Sequence, residues 1–262
     1  SETQRSVEMS LLQWSSYDDN CNQLNKWLLQ INSSLDVDNE LKATLNEKKN
    51  QLQNHKVQHQ SILSHQQIVD SLEEKGESLQ TSQDSKVLKM LKDMVTQYNN
   101  VRDKSTDLLK QNEENVEKHK QYSGAYQAML DWLAAYKEKL GTCTEKAGDR
   151  YATQNKIDRI SELDASKKDG DNLFSKVQNL SEPTLATSNA QGKENIRREL
   201  DDLNTDWSAL QQSTQEVSAQ LQELLLKWVK FEETHSALSD WMRNMEVKVK
   251  EYDLKSTLEE KE

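Results

Sequence analysis

The sequence predicts an all-α fold: tandem three-helix, left-handed coiled-coil bundles joined by continuous helices into an elongated rod. Three observations predict it. Between Leu91 and Leu140 one row of sevens runs Leu91, Tyr98, Ser105, Asn112, His119, Tyr126, Leu133, Leu140. A second runs Met94, Val101, Leu108, Asn115, Tyr122, Met129, Tyr136. A heptad held this long without slipping phase is the seam of a left-handed coiled coil. At 1.5 Å per residue the stretch spans roughly 75 Å, too long for one compact domain, so it is expected to end one bundle and begin the next. The second observation is an internal repeat. Trp27-Leu28, Trp132-Leu133 and Trp241-Met242 recur at intervals of 105 and 109 residues. Third, the 262 residues contain one proline, six glycines and two phenylalanines, a composition suited to long helices and short of turn residues for sheets.

The repeat is deeper than the tryptophans. Ten residues before each pair stands an aromatic, Tyr17, Tyr122 or Phe231, and thirteen before stand Trp14, His119 and Trp228. Leu11-Leu12-Gln13-Trp14 is echoed by Leu225-Leu226-Lys227-Trp228. Val69 and Leu72 align with Val177 and Leu180, and Val87, Leu91, Tyr98 and Val101 with Ile196, Leu200, Trp207 and Leu210. The expected boundaries are 1–12, the end of a preceding unit's last helix; 13–117 and 118–227, two complete units; and 228–262, the first helix of a further unit.

In the first unit, helix A is expected over Arg5–Leu35, with Trp14, Cys21, Leu28 and Leu35 on one row and Tyr17, Leu24 and Ile31 on the other. Residues 36–39 read as a turn with a helix cap. Helix B is expected as one piece from Glu40 to Leu79. Thr81 and Asp84 are spaced like a capping box, and helix C starts near Ser85 and continues into the next helix A. In the second unit, helix A should end near Leu140 and residues 141–148 form a loop. Helix B carries Ile157, Ile160, Leu163, Phe174, Val177 and Leu180. Gly170 lies inside it at a cost of about 1 kcal/mol against alanine, which predicts a soft spot. Residues 181–192, containing Pro183, read as a longer loop, with helix C beginning near Lys193.

Composition narrows function. A net charge of −11 argues against nucleic-acid binding, which needs a basic face, and against adhesion to an anionic membrane. No apolar run approaches the roughly 20 residues of a membrane span, and no signal peptide is visible at the start. Ser1 in place of an initiator methionine leads us to expect a piece of a longer protein. Two cysteines, Cys21 and Cys143, form no disulfide framework and suit a reducing compartment.

These residues and offsets resemble the spectrin repeat. The tryptophan-leucine pair of helix A, the mid-helix-C aromatic (Trp207, with Tyr98 as a departure), the Leu72-x-x-x-Gly76-x-x-Leu79 end of helix B, and a C helix running into the next A helix carry the likeness. The second unit departs with Leu180, Pro183 and Leu185 and no matching glycine. Within that family, Leu11-Leu12-Gln13-Trp14-x-x-Tyr17-Asp18 is most similar to nesprins; spectraplakins, dystrophin and utrophin are alternatives. The resemblance implies a structural rod segment of a giant cytoskeletal linker that sets distance and transmits force between the nuclear envelope and actin. It implies a parent at the outer nuclear membrane, actin contact through domains outside this chain, and docking of a cytoskeletal regulator such as a formin as the alternative role. The chain itself is expected to be monomeric, with no cofactor, no nucleic acid and no direct membrane contact.

Each candidate for chemistry has a plainer reading. Trp14, Tyr17, Trp27, Tyr98, Tyr122, Trp132, Trp207, Trp228, Phe231 and Trp241 sit at seam positions and are expected to be core, not a stacking platform. His55 and His59 share a helix face at metal-ligand spacing, but with no third ligand they read as an ordinary pair. His119 and His235 are expected to be partly buried seam histidines near junctions, a pH-sensitive junction being the alternative. Cys21 reads as a buried small hydrophobe and Cys143 as a reactive loop thiol. No phosphate loop or nucleophile motif is present, and an enzyme is not expected. Lys86, Lys89 and Lys92 form a basic side of helix C, and Glu113, Glu114 and Glu117 an acidic one. Both are candidate partner surfaces whose default is a solvated face, as it is for Glu73, Glu74, Glu77, Glu232 and Glu233. Finally, Asn112 and Asn115 occupy the first junction where Leu221 and Leu224 occupy the second, which predicts a more compliant first junction, since burying a large apolar side chain contributes about 1.5–3 kcal/mol.

Overall fold

A computed structural model describes residues 2–37, 39–78, 85–145 and 147–259. Among these residues six helices follow one another: α1 Glu2–Val37, α2 Leu45–Ser64, α3 Gln66–Ser78, α4 Ser85–Cys143, α5 Arg150–Ala186 and α6 Ala190–Glu259. No strand occurs among the described residues. Helix α4 is unbroken over 59 residues and α6 over 70, as the uninterrupted heptads require. The expected capping box at Thr81 and Asp84 lies outside the described residues.

The chain divides into two compact units, Ser1–Ala125 with Gln178–Arg198, and Tyr126–Val177 with Glu199–Glu262. In the first, Tyr17, Cys21, Leu24, Leu28 and Leu35 of α1 pack with Ile62, Val69 and Leu72 of α2 and α3 and with Leu91, Met94, Tyr98, Val101 and Leu108 of α4. Trp14 and Trp27 lie half-buried against this core. In the second unit Met129, Leu133, Tyr136 and Leu140 of α4, Ile160, Leu163 and Val177 of α5, and Leu203, Trp207 and Leu210 of α6 are buried. Trp132 is half-buried there, with its ring tilted against Trp207 at 5.5 Å between centroids.

Repetition extends to ring geometry. Trp14–Tyr17, His119–Tyr122 and Trp228–Phe231 each form an edge-to-face pair, at 6.1, 6.3 and 5.8 Å with interplanar angles of 85°, 75° and 87°. The i,i+3 spacing sets neighbouring rings on one helix face, and the ring quadrupole favours the perpendicular arrangement.

Several local expectations are corrected. Helix B of the first unit is two helices, broken at His65. The Ile62 carbonyl accepts the Tyr98 hydroxyl at 2.9 Å and the His65 N–H at 3.1 Å. The Ser61 carbonyl is shared by the Ser64 hydroxyl and His65 Nδ1. Side chains that compete for helix carbonyls loosen the turn, and His65 is further held by stacking on Trp27 at 3.6 Å and 6°. The cap before α2 falls at Thr44 and not at residues 36–39: Thr44 Oγ1 accepts the Glu47 N–H, and the Glu47 carboxylate accepts the N–H groups of Thr44 and Ala43. Those bonds hold the Glu47 carboxyl below the usual range.

In the second unit α4 runs on to Cys143, which is buried, not an exposed loop thiol. Helix α5 continues through Pro183 to Ala186, where the hydroxyls of Ser181 and Thr184 bond the Gln178 and Leu180 carbonyls. The loop shrinks to residues 187–189, and Asn189 caps α6 by accepting the Gly192 N–H at 2.9 Å. Phe231 and Trp241 are more than half exposed, so they are not core in this chain. Every described position from 240 to 251 is exposed, and nothing here covers that stretch.

Candidate functional site: a polar clasp around Lys48

The expected partner surfaces lie on α4. Lys89 and Lys92 are exposed, while the side chain of Lys86 is outside the described residues. Glu113, Glu114 and Glu117 are also exposed, roughly 30 Å further along the helix at its 1.5 Å rise. The structure therefore does not bring the basic and acidic sets together. Glu113 pairs with Lys56 at 3.3 Å and Glu117 accepts the Gln121 amide at 2.9 Å. Of the other acidic sets, Glu73, Glu74 and Glu77 are exposed, and Glu232 pairs with Arg150 at 2.9 Å.

What sequence reading missed is a buried polar cluster inside the first unit. Residues 39–44, the N-terminal half of α2, the middle of α4 and the 187–189 loop meet there. Lys48 is its centre, only 2% exposed. Its ammonium donates to Thr187 Oγ1 at 3.2 Å and Ser188 Oγ at 3.0 Å. Backbone contacts run alongside. The Asn189 N–H reaches the Lys42 carbonyl at 3.4 Å, and a Cβ built on Gly192 would stand 2.6 Å from the Ala43 carbonyl oxygen. Only glycine permits that approach. The Thr184 hydroxyl reaches the Lys118 carbonyl at 3.3 Å.

Two further groups line the cluster. Asn112 is buried and donates to the Leu108 carbonyl at 2.9 Å, and its amide nitrogen also meets His55 Nδ1. The polar seam position is thus satisfied by a partner on α2, and His55, 1% exposed, is an interior residue, not half of a surface pair. His59 instead meets the Ser105 hydroxyl at 3.1 Å. His119 is buried, and its Nδ1 has no hydrogen-bond partner among the described residues. The other seam histidine, His235, is exposed.

Burial sets the charge states. Desolvation, with a smaller contribution from Lys118, lowers the Lys48 pKa to about 8. Desolvation, with a smaller contribution from Lys48, lowers that of His119 to about 4. At neutral pH the cluster therefore holds a charged lysine and a neutral imidazole. Among the described residues Lys48 makes no ion pair and no group of three or more His, Cys, Asp or Glu is placed to hold a metal ion. The arrangement offers donors and a cation, and the Ser188 hydroxyl beside Lys48 donates to the Thr184 carbonyl rather than to the amine. Hydrogen bonds of the Lys48 ammonium and the Asn189 N–H join residues 42–48 to residues 187–189.

Comparison with known proteins accounts for this plan. Over 256 residues the chain is 29% identical to "Muscle-specific protein 300 kDa" of Drosophila melanogaster, covering 97% of this chain and about 2% of that much longer relative. The spectrin repeat matches twice, over residues 12–117 and 117–223. The two matches meet inside α4, where one unbroken helix leaves the first set of three and enters the second, and together they take in most of the sequence: the chain belongs to the spectrin-repeat family.

Proposed function

We propose that this pair of repeats is a strut in a giant cytoskeletal linker, setting distance and carrying force between the nuclear envelope and actin. Spectrin repeats are structural, non-enzymatic modules. The observation that carries the reading is helix continuity: α4 serves two successive repeats without a break. Bending such a helix requires its backbone hydrogen bonds to open, so tension passes along it. The match to a small part of a very long muscle protein supports a place within a giant linker. Among the described residues no helix is long and apolar enough to cross a membrane, so in this reading anchoring belongs to other parts of the parent.

Imaging the full-length parent tests the proposal. Location at the nuclear rim, with loss of rim-to-actin coupling when residues 12–223 are replaced by a flexible linker of equal length, is the expected result. Unaltered coupling after that replacement removes the mechanical role, and location elsewhere in the cell removes the envelope.

Docking of an actin regulator such as a formin is the second reading, favoured by the exposed basic and acidic sides of α4. Pull-down from cytoskeletal extract with Lys89→Glu/Lys92→Glu, or with Glu113→Lys/Glu114→Lys, is expected to lose the partner. Retention by both variants makes these faces merely solvated.

A further inference from the structure

The Lys48 cluster borders a partly open pocket of about 150 Å³, lined among others by Lys42, Lys48, Gln111, Asn115 and Thr187. That is room for about five waters at roughly 30 Å³ each. Two cations, Lys42 and Lys48, line it beside amide side chains. Lys48 contributes a nearly inaccessible ammonium whose two protein partners are neutral hydroxyls. Both hydroxyls also donate elsewhere, Thr187 to the Pro183 and Thr184 carbonyls and Ser188 to the Thr184 carbonyl. An ammonium has three donors, so one remains beyond these two bonds.

The nearby acidic groups do not compensate the charge. Glu47 is committed to the Thr44 and Ala43 N–H groups. Glu40 borders the pocket with an exposed side chain, and its backbone carbonyl takes the Gln51 amide. From α4, the charged or titratable groups acting on the cluster are Lys118 and His119, both basic. A buried charge is costly unless paired. An electropositive pocket with amide side chains around it fits an anion.

We propose that this pocket binds a small hydrated oxyanion of the phosphate class, held by the Lys48 ammonium with Lys42 as the second cation. This goes beyond the strut reading and does not depend on it. The bound ion sits beside the Lys48 ammonium that joins α2 to the loop preceding α6, so occupancy offsets the buried charge and stabilises the clasp.

Titration of the whole chain with sodium phosphate, against sodium chloride of equal ionic strength, tests the site. One ion per chain is expected by calorimetry. Thermal unfolding should show a saturable rise of about 3 °C. Lys48→Met, which keeps the apolar stem and removes the charge, abolishes both. Lys42→Gln weakens binding on the order of tenfold. Affinity falls as pH rises from 7 to 9.5, because Lys48 loses its proton there. Glycerol 1-phosphate run in parallel separates the sources. Weaker binding than phosphate assigns a free ion, and equal or tighter binding assigns a phosphoryl ester such as a headgroup. No heat of binding, or an identical phosphate response in Lys48→Met, overturns the site and leaves the pocket to water. If Lys48→Met does not fold, unchanged affinity in Lys42→Gln overturns it equally.

Discussion

Gly170 lies directly under Trp132: a Cβ placed on it would stand 2.5 Å from Trp132 Cη2 and 2.7 Å from Trp207 Cη2. The glycine that reads as a soft spot in helix α5 is the floor on which two tryptophans of the second bundle rest. Propensity favours alanine in a helix by about 1 kcal/mol, while overpacking a filled site costs about 1–3 kcal/mol. Because a rigid indole cannot yield as a long aliphatic chain does, packing prevails. Gly170→Ala is expected to destabilise the protein, by up to about 2 kcal/mol once the propensity gain is subtracted. Urea unfolding followed by tryptophan fluorescence measures it, and a rise in midpoint shows that propensity governs the position.

Tyr98 stands where the second repeat has Trp207, and its hydroxyl supplies a reason for the exchange. It donates to the Ile62 carbonyl at the point where helix B breaks, and the ring is fully buried. Tyr98→Phe keeps the ring and removes the bond. A loss of about 1–1.5 kcal/mol is expected, with amide exchange rising first around residues 62–69. Exchange that stays uniform across the first repeat rules out a local role for the hydroxyl.

What could be read in the sequence follows from period. Heptads along α4 and α6 fix which side chains face inward, so Leu91, Tyr98, Leu133 and Leu203 are legible as core without coordinates. Contacts between residues far apart in sequence are not periodic and leave no such trace. Lys48 is one lysine among many until the 187–189 loop, some 140 positions away, is folded against it. The packing of Gly170 and the break in helix B at His65 leave no periodic trace for the same reason: Trp132 and Tyr98 act on them, and neither is near in sequence. Pro183 reads as a helix breaker, yet α5 runs through it to Ala186. In the last turn of α5 the proline removes only the bond to the residue 179 carbonyl, and the Ser181 and Thr184 hydroxyls take the neighbouring Gln178 and Leu180 carbonyls. Cys143 reads as a loop thiol when the helix ends near Leu140, yet α4 continues through Gly141 to Cys143.

Asn112 and His55 form a buried pair across α4 and α2, in place of the leucine contact expected of a heptad seam. Removing one member disturbs a buried polar contact, which costs about 1–3 kcal/mol, whereas replacing both by apolar groups of similar shape is nearly neutral. Asn112→Leu alone is therefore expected to destabilise the first repeat by about 1–2 kcal/mol, and His55→Leu/Asn112→Leu to recover most of that. Chemical denaturation of the three variants closes the cycle. Additive losses in the double variant exclude coupling between the two side chains.

Lys48 predicts an unusual alkaline limb. Its pKa in the fold is about 8, against about 10.4 in an unfolded chain. Between those values the unfolded state binds more protons, so stability rises with pH. The full difference amounts to about 3 kcal/mol, present above the unfolded value and lost as pH falls through the folded one. Lys48→Met carries no such charge and is expected to be at least as stable as the parent at pH 7, since Thr187 and Ser188 keep their own carbonyl acceptors. Urea midpoints from pH 7 to 10 check this in phosphate-free buffer. A falling limb in the parent, or parallel curves for parent and variant, would mean that the clasp tolerates the ammonium at no cost.

His119 acts in the same direction at the acid end. Its folded pKa of about 4 lies below the ordinary value of about 6.5, because burial disfavours the imidazolium and Lys48 repels it. The fold therefore holds the neutral ring, and its contribution is complete above pH 6.5. As pH falls towards 4 the unfolded chain takes up a proton that the folded chain refuses, and about 3 kcal/mol is withdrawn. The edge-to-face contact with Tyr122 needs only a ring, so His119→Phe should preserve packing and remove the titration. Between pH 6.5 and 4 the variant is expected to lose markedly less stability than the parent, the remaining decline coming from carboxylates common to both. Circular-dichroism melts across that range measure the difference. Superimposable pH profiles would place the acid sensitivity of this repeat elsewhere than in its one buried imidazole with an unsatisfied nitrogen on α4.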